Sequence, residues 1–233
     1  MKKLLITTLI VLFAAARLAA APLEEGENKV SSLMLELMKM HSTPETQTVL
    51  CWMPAEYWKA AMSVGKPAAT KESQNVAAII DAYMVVLVAK LNKGPHAAQG
   101  FASLDELTKD ARLLIPGTEG LVPLGEDQQT PELKKFLREM QPVMGKTLGP
   151  LGEGLHFLVF PSKDKAGKRL ADPTASGKLA LTINGHIFTW HLPLGSLMPP
   201  KKCEKCGETF KGDFLFCPYD GTALKTGPGT EPK

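Results

Sequence analysis

Three of the four cysteines in this chain lie close together near its C-terminal end. Cys203 and Cys206 are separated by two residues and followed by Gly207. Ten residues separate Cys206 from Cys217, which opens the run Cys217-Pro218-Tyr219-Asp220-Gly221. Each stretch reads as a cysteine, two spacer residues, a second donor and a glycine. A chain wraps a metal ion in this way when its backbone amides are aimed at sulfur and the glycine turns it through positive φ.

The segment 203–224, CEKCGETFKGDFLFCPYDGTAL, resembles a short zinc ribbon in its spacing and in both glycines. The resemblance covers about 22 of the 233 residues. It implies one structural Zn2+ held by Cys203, Cys206, Cys217 and Asp220, the aspartate standing where the usual pattern has cysteine. A carboxylate ligates zinc at ~2.0–2.2 Å, so the set is chemically sound, though harder and more weakly held than four thiolates. Four protein ligands close the coordination sphere, which is the structural type of site. Were water to replace Asp220 the site would be open, with only Glu204 and Glu208 nearby as bases. Two metal-free readings stay open: disulfides formed in an oxidising compartment, and a degenerate ribbon held by packing alone. Cys51, beside Trp52, reads either as a small buried residue or as a disulfide partner for Cys217.

Other residues invite chemistry and fail to assemble it. Ser63-x-x-Lys66, Ser73-Gln74-Asn75 and Lys225-Thr226-Gly227 spell serine β-lactamase elements, but Gly65 and Pro67 break the helix that must carry the first. Gly145-Lys146-Thr147 ends a helix rather than beginning one, so it is no P-loop. His186 and His191 fall on opposite faces of one hairpin and cannot share a metal. His156 reads as a buried, hydrogen-bonded histidine. Met34, Met38 and His41 fall on one face of an expected helix; they are core filler there, with Cu(I) as the sharper alternative.

The elements that position these residues follow from periodicity. Residues 28–41 repeat apolar side chains at three and four, predicting a helix. Residues 46–53 predict a strand, Pro54 starts a short helix through Met62, and 71–81 predict another. Residues 83–89 are valine-rich and apolar on both faces, predicting a buried strand. Ser103 and Glu106 form a capping box. A short hairpin is expected around Pro116-Gly117. Thr130 caps a helix with Pro131 at its first position and an expected kink at Pro142. Residues 155–160 predict a central strand. Asn184-Gly185 predicts a type I′ turn that pairs Ile183 with His186, Leu181 with Phe188 and Leu179 with Trp190. Helices mixed irregularly with antiparallel strands make an α+β fold. The expected organisation is a signal peptide over 1–20, an α+β domain over 24–192, a proline-rich linker over 193–202, the ribbon-like module over 203–224 and a disordered tail over 225–233.

Composition narrows the function. The chain is 44% hydrophobic and 22% charged, which is globular composition. Its net charge of +3 comes from Lys2, Lys3 and Arg17; beyond residue 20, bases and acids balance, so a basic nucleic-acid binder has no support. Lys2-Lys3, the apolar run 4–16 and the alanines after it have the layout of a secretory signal peptide. The run is short for a membrane span. The mature protein is therefore expected in the periplasm or outside the cell, without a stable membrane span; the alternative is an inner-membrane anchor made by the uncleaved segment. The expected role is a non-enzymatic binding protein with an unknown protein partner. A small periplasmic enzyme is the competing reading.

Overall fold

The structure, a computed structural model, describes residues 25–63, 71–93 and 100–225. The expected signal peptide, the tail beyond Lys225 and Lys66 lie outside the described residues.

In chain order the described elements are α1 (Glu25–Leu37), β1 (Met38–Ser42), β2 (Thr46–Met53), α2 (Ala55–Ser63), α3 (Lys71–Asp81), β3 (Tyr83–Asn92), β4 (Gly100–Phe101), α4 (Leu104–Thr108), β5 (Arg112–Leu114), α5 (Pro131–Leu148), β6 (His156–Pro161), β7 (Gly177–Ile183), β8 (His186–Leu192), β9 (Lys201–Lys202) and β10 (Thr209–Phe210). Short 3₁₀ turns occupy Glu126–Gln128, Gly149–Gly154 and Gly195–Leu197. The fold is α+β.

A five-stranded antiparallel sheet runs β1-β2-β3, with β4 and β6 both paired to the far edge of β3. β2 and β3 are buried on both faces along most of their length, as their unbroken apolar runs predict. Strand alternation sends Cys51, Val85 and Leu87 to one face and Trp52, Val86 and Val88 to the other. On the first face Val85 and Val159 pack against Leu133 and Leu137 of α5. On the second, Trp52 meets Trp190 edge-on at 6.2 Å, joining the large sheet to a three-stranded sheet β5-β7-β8. The molecule's core is thus layered helix, sheet, sheet.

The β7–β8 hairpin has the expected register. Asn184 and Gly185 both take positive φ, 48° and 76°, which the two-residue turn demands. Trp190 is fully buried against Leu179, and its indole N–H donates to the Leu37 carbonyl at 2.7 Å. The Ser103–Glu106 capping box and the Thr130 cap are both formed.

Two local expectations need correction. The first helix ends at Leu37, and Met38–Ser42 is a strand instead. Its register against β2 and the Thr43–Thr46 turn, tied by backbone and hydroxyl bonds, give these residues cross-strand partners that outweigh helical periodicity. The hairpin expected around Pro116-Gly117 reduces to one bridge, Leu113 with Leu121, because β5 pairs with β7. α5 extends over Pro131–Leu148 with Pro142 in its interior. The segment 193–202, expected as a proline-rich linker, carries a 3₁₀ turn and strand β9.

That segment also touches the body. The Glu36 carboxylate on α1 accepts from the Ser196 N–H at 3.2 Å, the Ser196 hydroxyl at 2.6 Å and the Lys211 ammonium at 2.6 Å. Gly195 and Gly212 lie where any side chain would collide, Gly195 with Asp213 and Gly212 with Met198 and Pro199. These close approaches seat the C-terminal module.

Candidate metal centre

The module is built from two matching knuckles. In the first, the Cys203 N–H donates to the Glu208 carbonyl at 2.8 Å and the Gly207 N–H returns to the Cys203 carbonyl at 3.0 Å. In the second, the Cys217 N–H donates to the Thr222 carbonyl at 2.8 Å and the Gly221 N–H returns to the Cys217 carbonyl at 2.9 Å. The offsets are identical. Gly207 and Gly221 hold φ of 77° and 73°, a region that a side chain enters only with strain. The β9–β10 pair supports the first knuckle, and the Phe216–Ala223 bridge supports the second.

The equivalence reaches the donor atoms. The Cys206 sulfur accepts from the Glu208 amide two residues on. The Asp220 carboxylate accepts from the Thr222 amide, also two residues on, at 2.8 Å. Asp220 therefore occupies the place in the second knuckle that Cys206 has in the first.

The four donor atoms of Cys203, Cys206, Cys217 and Asp220 all lie within 4.8 Å of one another. Cys206 Sγ and Cys217 Sγ are 3.7 Å apart, and Cys203 Sγ is 3.5 Å from Asp220 Oδ2. A tetrahedral zinc ion with ordinary bond lengths separates two sulfurs by about 3.8 Å, and a sulfur from a carboxylate oxygen by about 3.5 Å. A disulfide would need about 2.05 Å, and all four cysteines are free. The set fits a metal ion.

Local donors prepare these groups to ligate. Thr222, through its side chain and its backbone amide, holds the Asp220 carboxyl down to about 2, so it is anionic at neutral pH. The Cys206 amide, opposed by desolvation and helped by the Lys205 amide, holds the Cys203 thiol below its ordinary range. The Cys206 thiol is pushed up to about 11: the Glu208 amide favours its thiolate, but desolvation and the neighbouring sulfurs outweigh it. Crowded sulfurs that cannot all ionise alone are what a cation relieves.

The other sequence candidates go elsewhere. Cys51 does not meet Cys217; its buried thiol lies 3.5 Å from the sulfurs of both Met34 and Met53. Met34, Met38 and His41 do not share a helix face. His41 lies against His186 with ring centroids 3.9 Å apart and the rings tilted by 35°, and its Nε2 is buried without a hydrogen-bond partner among the described residues. His156 bonds the Ala102 carbonyl at 3.2 Å, at the edge of a cleft of about 170 Å³ that also holds Lys134 and Arg138. Sequence reasoning missed Thr222, whose role depends on the knuckle's closure, and the Glu36 clamp, whose partners are 160 and 175 residues away.

No family model, curated protein or solved structure matches the chain. No helix among the described residues is long and apolar enough to cross a membrane.

Proposed function

We propose that this is an exported, non-enzymatic binding protein whose C-terminal module is a structural zinc ribbon. The carrying observation is the spacing of four donor atoms on two equivalent knuckles, with separations of 3.7 Å and 3.5 Å that suit zinc. Zinc fits better than a harder ion because three of the four donors are thiolates. With every position filled by protein, the ion's work is to fold the module.

One further observation supports the binding role and another supports export. Leu215, Phe216 and Tyr219 are 68%, 60% and 75% exposed, and Phe214 is next to them; apolar side chains clustered in the open mark a surface that meets another. The leader-like N-terminal sequence supports export. The enzyme reading rests on the cleft holding Lys134, Arg138 and His156.

Cobalt substitution tests the zinc reading. The chelated chain titrated with Co2+ is expected to develop thiolate charge-transfer bands and intense tetrahedral visible bands, saturating at one ion and bleached by Zn2+. Failure to develop these bands in fully reduced protein overturns it. N-terminal sequencing of chain recovered outside the cytoplasm tests export: residues 4–16 should be gone.

A further inference from the structure

The large sheet has an open edge at β6, which pairs with β3 on one side only. Just past β6 the Ser162 N–H turns inward to the Ala82 carbonyl, so even-numbered residues bond into the ladder and odd-numbered ones face out. Along the outer edge the Leu155 carbonyl accepts from the Gln141 side-chain amide at 3.3 Å, and the Val159 carbonyl accepts from the Leu124 N–H at 2.7 Å. Between them Phe157 presents both its N–H and its C=O, and no backbone bond reaches either from outside the ladder among the described residues.

Phe157 also lines a cleft of about 170 Å³ beside α5. Lys134 and Arg138, one turn apart on α5, line the same cleft, and neither pairs with an acid among the described residues. Like charges at that spacing weaken a helix, so helix stability gives no reason for them. Glu126 is the one acid of the lining, and it forms no ion pair with either cation. Leu104 and Leu137 add apolar wall. The His156 ring is fixed there by its Nε2–H, which donates to the Ala102 carbonyl at 3.2 Å.

We propose that this cleft binds the C-terminal end of a peptide, one extended residue pairing with Phe157 and the free carboxylate meeting Lys134 and Arg138.

Three arguments carry it. An open N–H and C=O on one edge residue match the C=O and N–H of one extended ligand residue. Both neighbouring carbonyls on the edge are already taken, and the stretch from Leu155 to Val159 is only about 13 Å long. It therefore suits a chain end and not a long added strand. Charge is the third argument. Two cations about 6 Å apart along the helix, opposed by one acid, favour an anion, and the arginine fork suits a carboxylate. Leu104 and Leu137 would receive an apolar terminal side chain. Binding makes hydrogen bonds and an ion pair, and no covalent bond changes. The cleft is separate from the ribbon, so the proposal does not depend on zinc.

The test titrates acetyl-alanyl-leucine, with its carboxylate free, into the isotope-labelled full chain and follows backbone amide shifts. Saturable shifts are expected at Phe157 and along residues 134–141, with none in 203–224. The C-terminal carboxamide of the same peptide should bind about tenfold or more weakly, since the charged hydrogen bonds are lost. Acetate alone should also bind about tenfold or more weakly, since it cannot pair with the Phe157 backbone. Lys134→Gln combined with Arg138→Gln should weaken the free acid to the level of the carboxamide and leave the carboxamide's own affinity unchanged; unaltered amide positions in β2 and β3 would show that this variant is folded. Absence of saturable shifts at millimolar peptide, equal binding of acid and carboxamide, equal binding of acetate, or indifference to the double variant would each overturn the proposal.

Discussion

In the body of the molecule Trp52, Trp190, Phe160, Leu37 and Leu50 are almost wholly withdrawn from water, and one continuous cluster runs through helices and both sheets. In the C-terminal module only Cys203, Cys217 and Leu224 form a buried cluster, with Phe210 against them, while Leu215, Phe216 and Tyr219 stand in solvent. Both regions use β pairing, and the backbone bonds are equally well made in each. They differ in what repays chain entropy. Ordering a residue costs about 1–2 kcal/mol of backbone freedom, which the body offsets by burial. Three small buried side chains cannot offset it for some twenty residues. The module's well-made knuckles therefore call for a cross-link, and under the zinc reading its donor set, not its core, holds it folded.

The largest difference should follow from removing one sulfur. Cys217→Ser is expected to abolish zinc binding and to unfold the module while the body's cooperative transition stays in place. Amide exchange resolved by segment checks this: protection within residues 203–224 should vanish, and protection in β2 and β3 should persist. Collapse of both together would mean that the body depends on the module.

The reverse experiment strikes the body. Trp190→Ala removes a fully buried indole and its bond to the Leu37 carbonyl. It should destabilise the body by ~3–5 kcal/mol in denaturant unfolding, with zinc affinity in the folded protein unchanged. A loss under about 1 kcal/mol would show that the Trp52–Trp190 contact does not join the two sheets as described.

Why the hairpin was legible and the join between the regions was not is a matter of range. Asn184-Gly185 specifies its turn by local φ preference, and alternation then fixes every pair in β7–β8. The grouping of Cys203, Cys206, Cys217 and Asp220 was legible for the same reason, since each knuckle closes within six residues. Residues 38–42 misled because Met34, Met38 and His41 satisfy helical spacing, whereas their strand state depends on pairing with β2. Glu36 gave no signal at all: it reads as an exposed helix residue, and its role depends on Ser196 and Lys211. Thr222 was equally silent, because its side chain and amide serve the Asp220 carboxylate only once the knuckle has closed.

The Glu36 clamp gives the next effect in size. Glu36→Ala leaves the Ser196 amide and Lys211 without their acceptor and should cost about 1–3 kcal/mol. The effect should fall on the join alone, read as faster amide exchange over 195–213 with zinc still bound. Unchanged exchange there would show that Gly195 and Gly212 packing suffices.

The response to acid separates sulfur from carboxylate. With its folded pKa depressed to about 2, Asp220 stays charged above that pH, and its contribution is lost only as pH falls through about 2. Zinc release on acidification should follow protonation of the sulfur ligands, because protons and the metal compete for them. Asp220→Cys should tighten zinc at neutral pH and steepen its release in acid, because one more proton then competes. Weaker binding by that variant would mean that Asp220 is not a ligand. The smallest effect expected is that of Thr130→Ala, which removes the hydroxyl accepting the Leu133 N–H at 3.3 Å. It should lower body stability by about 1 kcal/mol and leave the module untouched.

Native mass spectrometry of the purified chain, before and after treatment with a chelator, tests the central claim most directly. One zinc ion per chain is expected, bound with the three ribbon thiols, removed by chelator and restored by adding zinc, with the charge-state distribution shifting toward an expanded module in between. A metal-free chain whose mass shows a disulfide among Cys203, Cys206 and Cys217, unchanged by chelator and opened only by reductant, would contradict it.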